Sequence, residues 1–148
     1  MRDNLNIKIF LNTDEIFDSQ YIRNKVFCEE QKVSKDIEFD GLDHLCTHFV
    51  VYKKNHPIGT ARLREKRKGI FKIERVAVLK SERLRGIGKF LMLSVIENVK
   101  ENENLVKLIL HSQTQVTNFY EMLGFERTGK EFFEDNIPHL KMIYRFKM

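Results

Sequence analysis

"SERLRGIGKFLM", residues 81–92, joins a predicted strand to a predicted amphipathic helix. The preceding stretch, "IFKIERVAVL" at 70–79, is rich in β-branched and aromatic residues, which favours a strand. Apolar residues then recur at helical spacing between Ile87 and Val99. The turn between them holds two glycines and three cations: Arg83, Arg85, Gly86, Gly88 and Lys89. This order predicts a strand, a glycine turn and a helix in succession.

The glycine turn has the features of an anion site. The first turn of a helix presents unpaired backbone N–H groups and the positive end of the helix dipole. Glycines let the backbone approach a ligand closely, and the adjacent arginines and lysine add positive charge. These features predict a diphosphate site, and a purely structural turn is the alternative.

Two common nucleotide-binding motifs are excluded at this turn. A P-loop needs Ser or Thr after Gly88-Lys89, where the chain has Phe90, and it needs a glycine at position 83. A dinucleotide-binding fingerprint needs a third glycine at position 91, which is a leucine. The diphosphate is therefore expected to belong to a different class of ligand.

Length and composition limit the class of protein to which the chain can belong. The chain has 148 residues, with 42% hydrophobic and 32% charged residues, which is typical of one globular domain over 1–148. No apolar run approaches the about 20 residues that a membrane span needs, and the N-terminus lacks a signal-peptide core. Cys28 and Cys46 lie far apart in the sequence and form no CxxC motif. This indicates reduced thiols of a cytoplasmic protein and not a disulfide framework. We expect a cytoplasmic protein with no membrane partner.

The pattern of elements predicts an α+β (mixed α/β) fold, in which helices cover a mixed sheet. The first helix, with Phe17, Tyr21 and Val26 among its apolar positions, is capped by Thr13 or Asp14. A polar, acidic loop follows over 31–45. The predicted helices are 14–30, 86–100 and 116–123, the last ended by Gly124. The predicted strands are 5–11, 47–52, 58–65, 70–79, 104–110, 125–132 and 139–146.

Several segments together resemble the GNAT (GCN5-related) N-acetyltransferases. Arg83, Gly86 and Gly88 fit the family's acetyl-CoA signature, [QR]-x-x-G-x-[GA], after a strand "RVAV". "NFYEMLGF" at 118–125 resembles the family's Y-E-x-x-G-F segment. "VFCEEQ", "LHSQTQ" and "EDNIPHLKM" are similar to the ElaA/YjcF-like branch. The chain departs from many relatives by having Gln113 in place of asparagine, and Asn136 in place of glycine.

The resemblance implies a fold, an activity and a set of site residues. It implies a mixed, mostly antiparallel sheet of about seven strands with about four helices, and acetyl transfer from acetyl-CoA to an amine. Tyr120 would protonate the leaving thiolate, although its place on an apolar helix face also fits a core residue. The residues that the resemblance assigns to acetyl-CoA are Val76, Ala77, Val78, Arg83, Leu84, Arg85, Gly86, Ile87, Gly88, Lys89 and Gln113.

The general base is left open by the sequence. Glu74 shares a strand face with Val76 and Val78 if the strand is regular, so we expect it to point towards the bound arm of the cofactor. An ordinary ion-paired glutamate is the alternative. His111, at the end of the next strand, and a water relay are the other candidates.

No metal is expected. The acidic loop "DIEFDGLDH" at 36–44 fails as a calcium loop because its twelfth position is Thr47, where a glutamate is required. The five histidines and two cysteines show no zinc spacing. The loop is instead expected either to attract a cationic amine or to be simply solvated.

The acceptor is expected to be a primary amine of a small molecule or a peptide, used by a monomer or homodimer. Two other classes stay open. The net charge of +5 and the basic segment "REKRK" at 64–68 also fit a nucleic-acid-binding module, although no sequence-specific binding motif is present. A CoA-binding regulator with the same fold but no turnover is the other.

Overall fold

The computed structural model describes residues 4–11 and 14–146. These residues form seven strands in one mixed sheet, in the order β1-β2-β3-β4-β5-β7-β6, and four α-helices. Each neighbouring pair is antiparallel except β4 and β5, which are parallel. The predicted fold, a mostly antiparallel mixed sheet with about four helices, is confirmed.

The strands are β1 (Leu5–Phe10), β2 (Cys46–Lys53), β3 (His56–Arg67), β4 (Ile70–Val78), β5 (Lys107–Gln113), β6 (Phe125–Glu134) and β7 (Ile137–Tyr144). The helices are α1 (Phe17–Arg23), α2 (Lys35–Glu38), α3 (Ile87–Lys100) and α4 (Thr117–Met122). A π-helical segment, Asn24–Glu30, continues α1 directly. The acidic loop therefore contains a short helix, α2, that its composition did not predict.

The start of the first helix differs from the prediction. The helix begins at Phe17, and Asp14 does not cap it, because its carboxylate accepts a hydrogen bond from the N–H of Leu11 at 2.8 Å. Thr13 lies outside the described residues. Phe17 is 69% exposed, whereas Arg23 on the same helix is fully buried. Of the predicted apolar positions, Phe17 and Tyr21 are thus exposed, whereas Val26 is buried.

Two apolar clusters hold helices on opposite faces of the sheet. The larger one lies beneath α3, where Leu91 and Val95 pack against strand residues such as Ile73 and Leu110. The smaller one lies beneath α1 and the π-helical segment. Burial of these side chains stabilises the fold in proportion to the apolar area removed from water. The sheet is therefore covered on both faces near its centre.

The acidic segment is held to the sheet by buried arginines. The guanidinium of Arg62, on β3, contacts the carboxylates of Asp40 at 2.9 Å and Asp43 at 2.9 Å. Arg23, on α1, contacts Glu38 at 2.8 Å and Asp43 at 2.9 Å. Both guanidinium groups are fully buried, so each needs carboxylate partners to offset the loss of water. The segment that carries α2 is thereby fixed against β3 and β4.

Among the described residues, no helix combines the length and the apolar character that crossing a membrane requires.

Candidate active site

A cleft opens where the two parallel strands part. β4 and β5 pair only over four residues, from Ile70 opposite Lys107 to Ile73 opposite Leu110. Both strands then continue, β4 to Val78 and β5 to Gln113, without pairing with each other. The cleft between them has a volume of about 700 Å³. Unpaired backbone groups on a strand edge bind extended ligands well, so the cleft suits an elongated molecule.

A β-bulge in β4 shapes one wall of this cleft. Arg75 and Val76 together oppose the single residue Ala61 of β3, and Arg75 has a φ of 56°. A residue other than glycine rarely takes this backbone conformation, so contacts of Arg75 with other residues must maintain it. The Nε of Arg75 lies 3.0 Å from the carboxylate of Glu38, and its Nη2 lies 3.2 Å from that of Asp40. The acidic segment therefore binds the bulge, and its carboxylates face arginines instead of an incoming amine.

The bulge overturns the predicted position of Glu74. Val76 and Val78 pack against the apolar cluster beneath α3, whereas Glu74 lies opposite Arg62 on the other face of the sheet. The prediction that Glu74 shares a face with Val76 and Val78 was wrong, because a bulge breaks the two-residue alternation of a regular strand. Ala77 shares the face of Glu74 and packs beneath α1 and the π-helical segment.

Three cations surround the carboxylate of Glu74. It contacts Arg62 at 2.8 Å, Arg64 at 2.9 Å and Lys72 at 3.3 Å. Burial by itself would raise the pKa of Glu74, but the hydrogen bond from Arg64 and the charges of Arg62 and Lys72 lower it to about 2. A carboxylate with so low a pKa accepts protons poorly near neutral pH. Although Glu74 lines the cleft, these contacts argue against its use as the general base.

The glycine turn lies at one end of the cleft, at the N-terminus of α3. Leu84 has a φ of 65° and Gly86, the residue that precedes the helix, a φ of 80°. Among the described residues, none accepts a hydrogen bond from the N–H groups of residues 84–89. A Cβ at Gly86 would meet no heavy atom within 4 Å. The turn therefore presents several free donors to open space, next to the exposed side chains of Arg85 and Lys89.

Arg83 and Gly88 make contacts within the protein that hold the turn in place. The guanidinium of Arg83 donates to the Val78 carbonyl at 2.9 Å and pairs with the Glu30 carboxylate at 2.6 Å. A Cβ at Gly88 would lie 3.2 Å from the ring of Phe119 on α4. Arg83 thus ties β4 to the π-helical segment, and Gly88 lets α3 approach α4 closely. Neither contact requires a ligand.

Tyr120, on α4, lies in the wall of the cleft. Its ring packs edge-on against Phe119, with centroids 5.0 Å apart, and against Phe125. Only 8% of the residue is exposed, and burial raises the pKa of its hydroxyl. Within the described residues the hydroxyl has no hydrogen-bond partner, so Tyr120 is a packed residue with a free donor.

His111 and Glu134 form a hydrogen-bonded pair in the cleft. The Nδ1 of His111 lies 2.6 Å from the Glu134 carboxylate, and this hydrogen bond lowers the pKa of Glu134. The ionised carboxylate can only accept, so Nδ1 donates, which leaves Nε2 as the nitrogen that carries the lone pair in the neutral form of the ring. The ring of Phe132 packs edge-on against His111 and stacks with His139, whose Nδ1 bonds the Ile137 carbonyl at 2.7 Å. The imidazole of His111 is therefore held in one orientation.

Gln113 bridges the cleft near the same end of β5. Its amide nitrogen donates to the side-chain oxygen of Gln31 at 3.0 Å, which links β5 to the end of the π-helical segment. Sequence reasoning missed Gln31, Lys72 and Glu134 as cleft residues. The segments that contain Gln31 and Glu134 were noted only as family-like motifs, and nothing local in the sequence pairs Glu134 with a histidine 23 positions away.

No group of three or more His, Cys, Asp or Glu side chains suited to a metal ion occurs in the described part of the chain.

The family model for the acetyltransferase (GNAT) domain matches residues 15–146. The Bacillus subtilis protein YyaT is 40% identical over 141 residues, 93% of this chain and 94% of YyaT. The N-acetyltransferase YjcF of the same organism is 38% identical, over 89% of this chain and 94% of YjcF. The chain therefore belongs to the GNAT acetyltransferase family, in its ElaA/YjcF-like branch, and is an acetyltransferase.

Solved structures share this fold. An acyl-CoA N-acyltransferase from Pseudomonas aeruginosa superimposes with a TM-score of 0.84 at 25% identity, covering 95% of this chain and 99% of the other. Escherichia coli ElaA superimposes with a TM-score of 0.86 at 22% identity, covering 95% of this chain and 99% of ElaA. A GNAT acetyltransferase from Elizabethkingia anophelis was solved with acetyl-CoA bound. It superimposes with a TM-score of 0.69 at 22% identity, and the superposition covers 95% of each chain.

The contacts of Glu74 predict a pH-dependent stability. Because its native pKa is lowered, these contacts contribute fully above the ordinary glutamate pKa of 4.5, and the contribution is lost as pH falls towards 2. Replacing Glu74 with Gln should lower the free energy of unfolding by about 3 kcal/mol at pH 7, since it removes one partner of a buried ion network. Urea unfolding between pH 7 and pH 3 measures the difference, which should shrink at the acidic end.

Glu103→Gln is the matched control, since Glu103 is exposed in the loop after α3. Its effect should stay within about 0.5 kcal/mol at every pH. Equal effects of the two substitutions would show that the cations around Glu74 contribute nothing to stability.

Proposed function

We propose that this protein transfers the acetyl group of acetyl-CoA to a primary amine of a small molecule or peptide, directly, in a ternary complex. The observation that carries the proposal is the continuity of the cleft. It runs from the free N–H groups of the glycine turn, along the unpaired edge of β4, to the His111–Glu134 pair. The acetyl-CoA bound to the Elizabethkingia anophelis family member supports the choice of acyl donor.

The proposed cofactor contacts follow the cleft. The N–H groups of residues 84–89 would bind the pyrophosphate, helped by the dipole of α3 and by the charges of Arg85 and Lys89. The backbone of residues 76–78 would bind the extended pantetheine arm as an added strand would. Gln113 would contact the same arm from β5. Arg83, which is engaged by Glu30, would act by shaping the turn.

The chemistry requires a neutral amine, and a lysine-like amine is almost entirely protonated at neutral pH. Acetyl-CoA supplies a thioester whose carbonyl carbon forms the new C–N bond as the C–S bond breaks. His111 would take the proton from the amine through Nε2, directly or through water, while Glu134 holds the imidazole and stabilises its charged form. We therefore propose His111 as the base in place of Glu74.

Tyr120 would donate its hydroxyl proton or a hydrogen bond to the leaving sulfur. The raised pKa keeps the hydroxyl protonated at neutral pH, and the absence of a competing acceptor among the described residues leaves it free to donate. An amide N–H at the bulge of β4, whose residues line the cleft, would stabilise the developing oxyanion.

A nucleic-acid-binding module fits the contacts less well. Several of the arginines that raise the net charge, such as Arg23, Arg62 and Arg83, are committed to carboxylates within the protein. A regulator that binds CoA without turnover would not need the ordered His111–Glu134 pair. Release of free thiol from acetyl-CoA on addition of amines separates these alternatives from the proposed enzyme.

Cofactor binding is tested by placing a charge in the glycine turn. Asp tolerates a positive φ, so Gly86→Asp should keep the turn but repel the pyrophosphate. We expect acetyl-CoA to raise the Tm of the wild type and of Gly86→Asn, but not of Gly86→Asp. Gly129→Asp, at a similar φ of 77° with equally open space, is the control and should keep the shift. A full shift in folded Gly86→Asp would exclude this turn as the phosphate site.

The base is tested by a pH profile of kcat/KM. If His111 is the base, the rate falls as the imidazole becomes protonated, and His111→Gln should lower the rate by about 10²-fold and remove this acid limb. Glu74→Gln should keep the acid limb, because the carboxylate of Glu74 in the wild type is already ionised throughout the pH range of the profile. Retention of the limb in His111→Gln together with its loss in Glu74→Gln would reverse the assignment.

The acid is tested with Tyr120→Phe, which keeps the ring and its packing. We expect kcat to fall by about 10²-fold with little change in Tm or acetyl-CoA affinity, because the hydroxyl acts mainly in the transition state. Steady-state kinetics, thermal melting and cofactor titration are measured together. An unchanged kcat would mean that water or another group protonates the sulfur.

A further inference from the structure

A strip of four cations, Arg64, Lys66, Lys72 and Lys141, lies beside the cleft and is called the cationic strip below. Arg64 on β3 stands directly opposite Lys72 on β4. Lys141 on β7 stands directly opposite His111 on β5. Like charges directly opposite each other, such as Arg64 and Lys72, destabilise a sheet, and Glu74 contacts both of them. The protein therefore maintains a concentration of positive charge at this place.

The carboxylates of the protein only partly balance the cationic strip. Glu74 contacts Arg64 and Lys72, but it also contacts Arg62. Glu134 is the other carboxylate near Lys72, and it is hydrogen-bonded to His111. Among the described residues, neither Lys66 nor Lys141 forms an ion pair. Burial, and then the like charges of Lys72 and Arg64, lower the pKa of Lys66, which shows how closely the cations gather. The strip has positive charge left over for an external anion.

The cationic strip is separate from the glycine turn. Ile73 and Leu110 pack beneath α3, so Lys72 and His111, their neighbours along β4 and β5, lie on the opposite face of the sheet. The helix whose N-terminus would bind the pyrophosphate is on the far side. An anion at the strip is therefore not the pyrophosphate of the acyl donor.

The cationic strip reaches the reacting end of the cleft. Lys72 pairs with Ile109 one residue before the strands part, and its side chain is 13% exposed at the floor of the cleft. His111, the proposed base, lies two residues after Ile109 on the same face. An acceptor whose amine meets His111 would pass over Lys72 and Lys141.

We propose that the acceptor is an amine that also carries an anionic group, a carboxylate or a phosphate, which Lys72 and Lys141 bind while Arg64 and Lys66 add charge. The inference rests on the proposed acetyl transfer and names its class of acceptor. It also gives a function to Arg64 and Lys66 of the basic segment "REKRK". Charge pairing at this place would orient the amine towards the thioester.

The test compares acceptors that differ only in charge. A series of ω-amino carboxylates with one to five methylenes is assayed beside the matching carboxamides and the matching ω-amino phosphate esters, by thiol release from acetyl-CoA. We expect at least one anionic series to exceed its neutral partner about tenfold in kcat/KM. The better of the two anionic series identifies the charged group, and added salt should reduce the preference.

Variants assign the preference to the cationic strip. Lys141→Gln and Lys72→Gln should each lower the ratio of anionic to neutral kcat/KM by about three- to tenfold, and the double variant should abolish it. Lys100→Gln, on α3 behind the sheet, removes the same charge elsewhere and should keep the ratio. Because Lys141 forms no ion pair with any residue that the structure describes, Lys141→Gln still tests the proposal if Lys72→Gln does not fold.

A binding measurement covers the case in which no acceptor of the series turns over. N-acetylated products of the same series, with and without the carboxylate, are titrated into the CoA-bound protein while backbone amide signals are followed. The carboxylate product should shift the signals of residues 72 and 141 more than the carboxamide does. Equal rates for charged and neutral acceptors, a preference that survives the double variant, or products that shift neither signal would overturn the anionic acceptor. Failure of acetyl-CoA to bind at all would instead overturn the proposed function.

Discussion

The parting of β4 from β5 after four residue pairs is the constraint on which the site depends. Two parallel strands at the centre of a sheet normally continue to pair, because unpaired backbone groups in a protein interior are costly. Here β4 leaves the ladder at Glu74 and bulges at Arg75, so that its edge faces a cleft instead of a neighbour. A ligand that supplies the missing hydrogen bonds is then the natural occupant of the gap.

The buried charges explain how the gap is kept open. Arg75 sits in a backbone conformation that side chains avoid, and Glu38 and Asp40 hold its guanidinium there. Glu38 is held in turn by the fully buried Arg23. An ion network of this kind is weak as a source of net stability, but removing one member leaves a buried charge without a partner. We infer that the network is retained because it fixes the geometry of β4.

The fold and the glycine turn could be predicted because their signals are local. A strand, a turn with Gly86 and an amphipathic helix are each encoded by neighbouring residues, and the family resemblance added the arrangement of the rest. The face of Glu74 could not be predicted, since alternation assumes a regular strand and the bulge at Arg75 is set by contacts with residues far away in the sequence. The burial of Arg23 depends on distant residues in the same way, because the carboxylates that pair with it lie 15 and 20 positions further along the chain. The partnership of His111 with Glu134 likewise arises only when β5 and β6 meet β7.

The most direct test of the account follows the backbone amides of the isotope-labelled protein as acetyl-CoA is added. The account predicts that the largest changes occur at residues 76–78 and 84–89, on β4 after the parting and on the turn before α3. Signals around the shallow groove of Phe17, Tyr21 and Pro57, on the far side of α1, should stay in place. Changes confined to that groove, or no saturable change at residues 84–89, would contradict the claim that the parted strands and the glycine turn form the acetyl-CoA site.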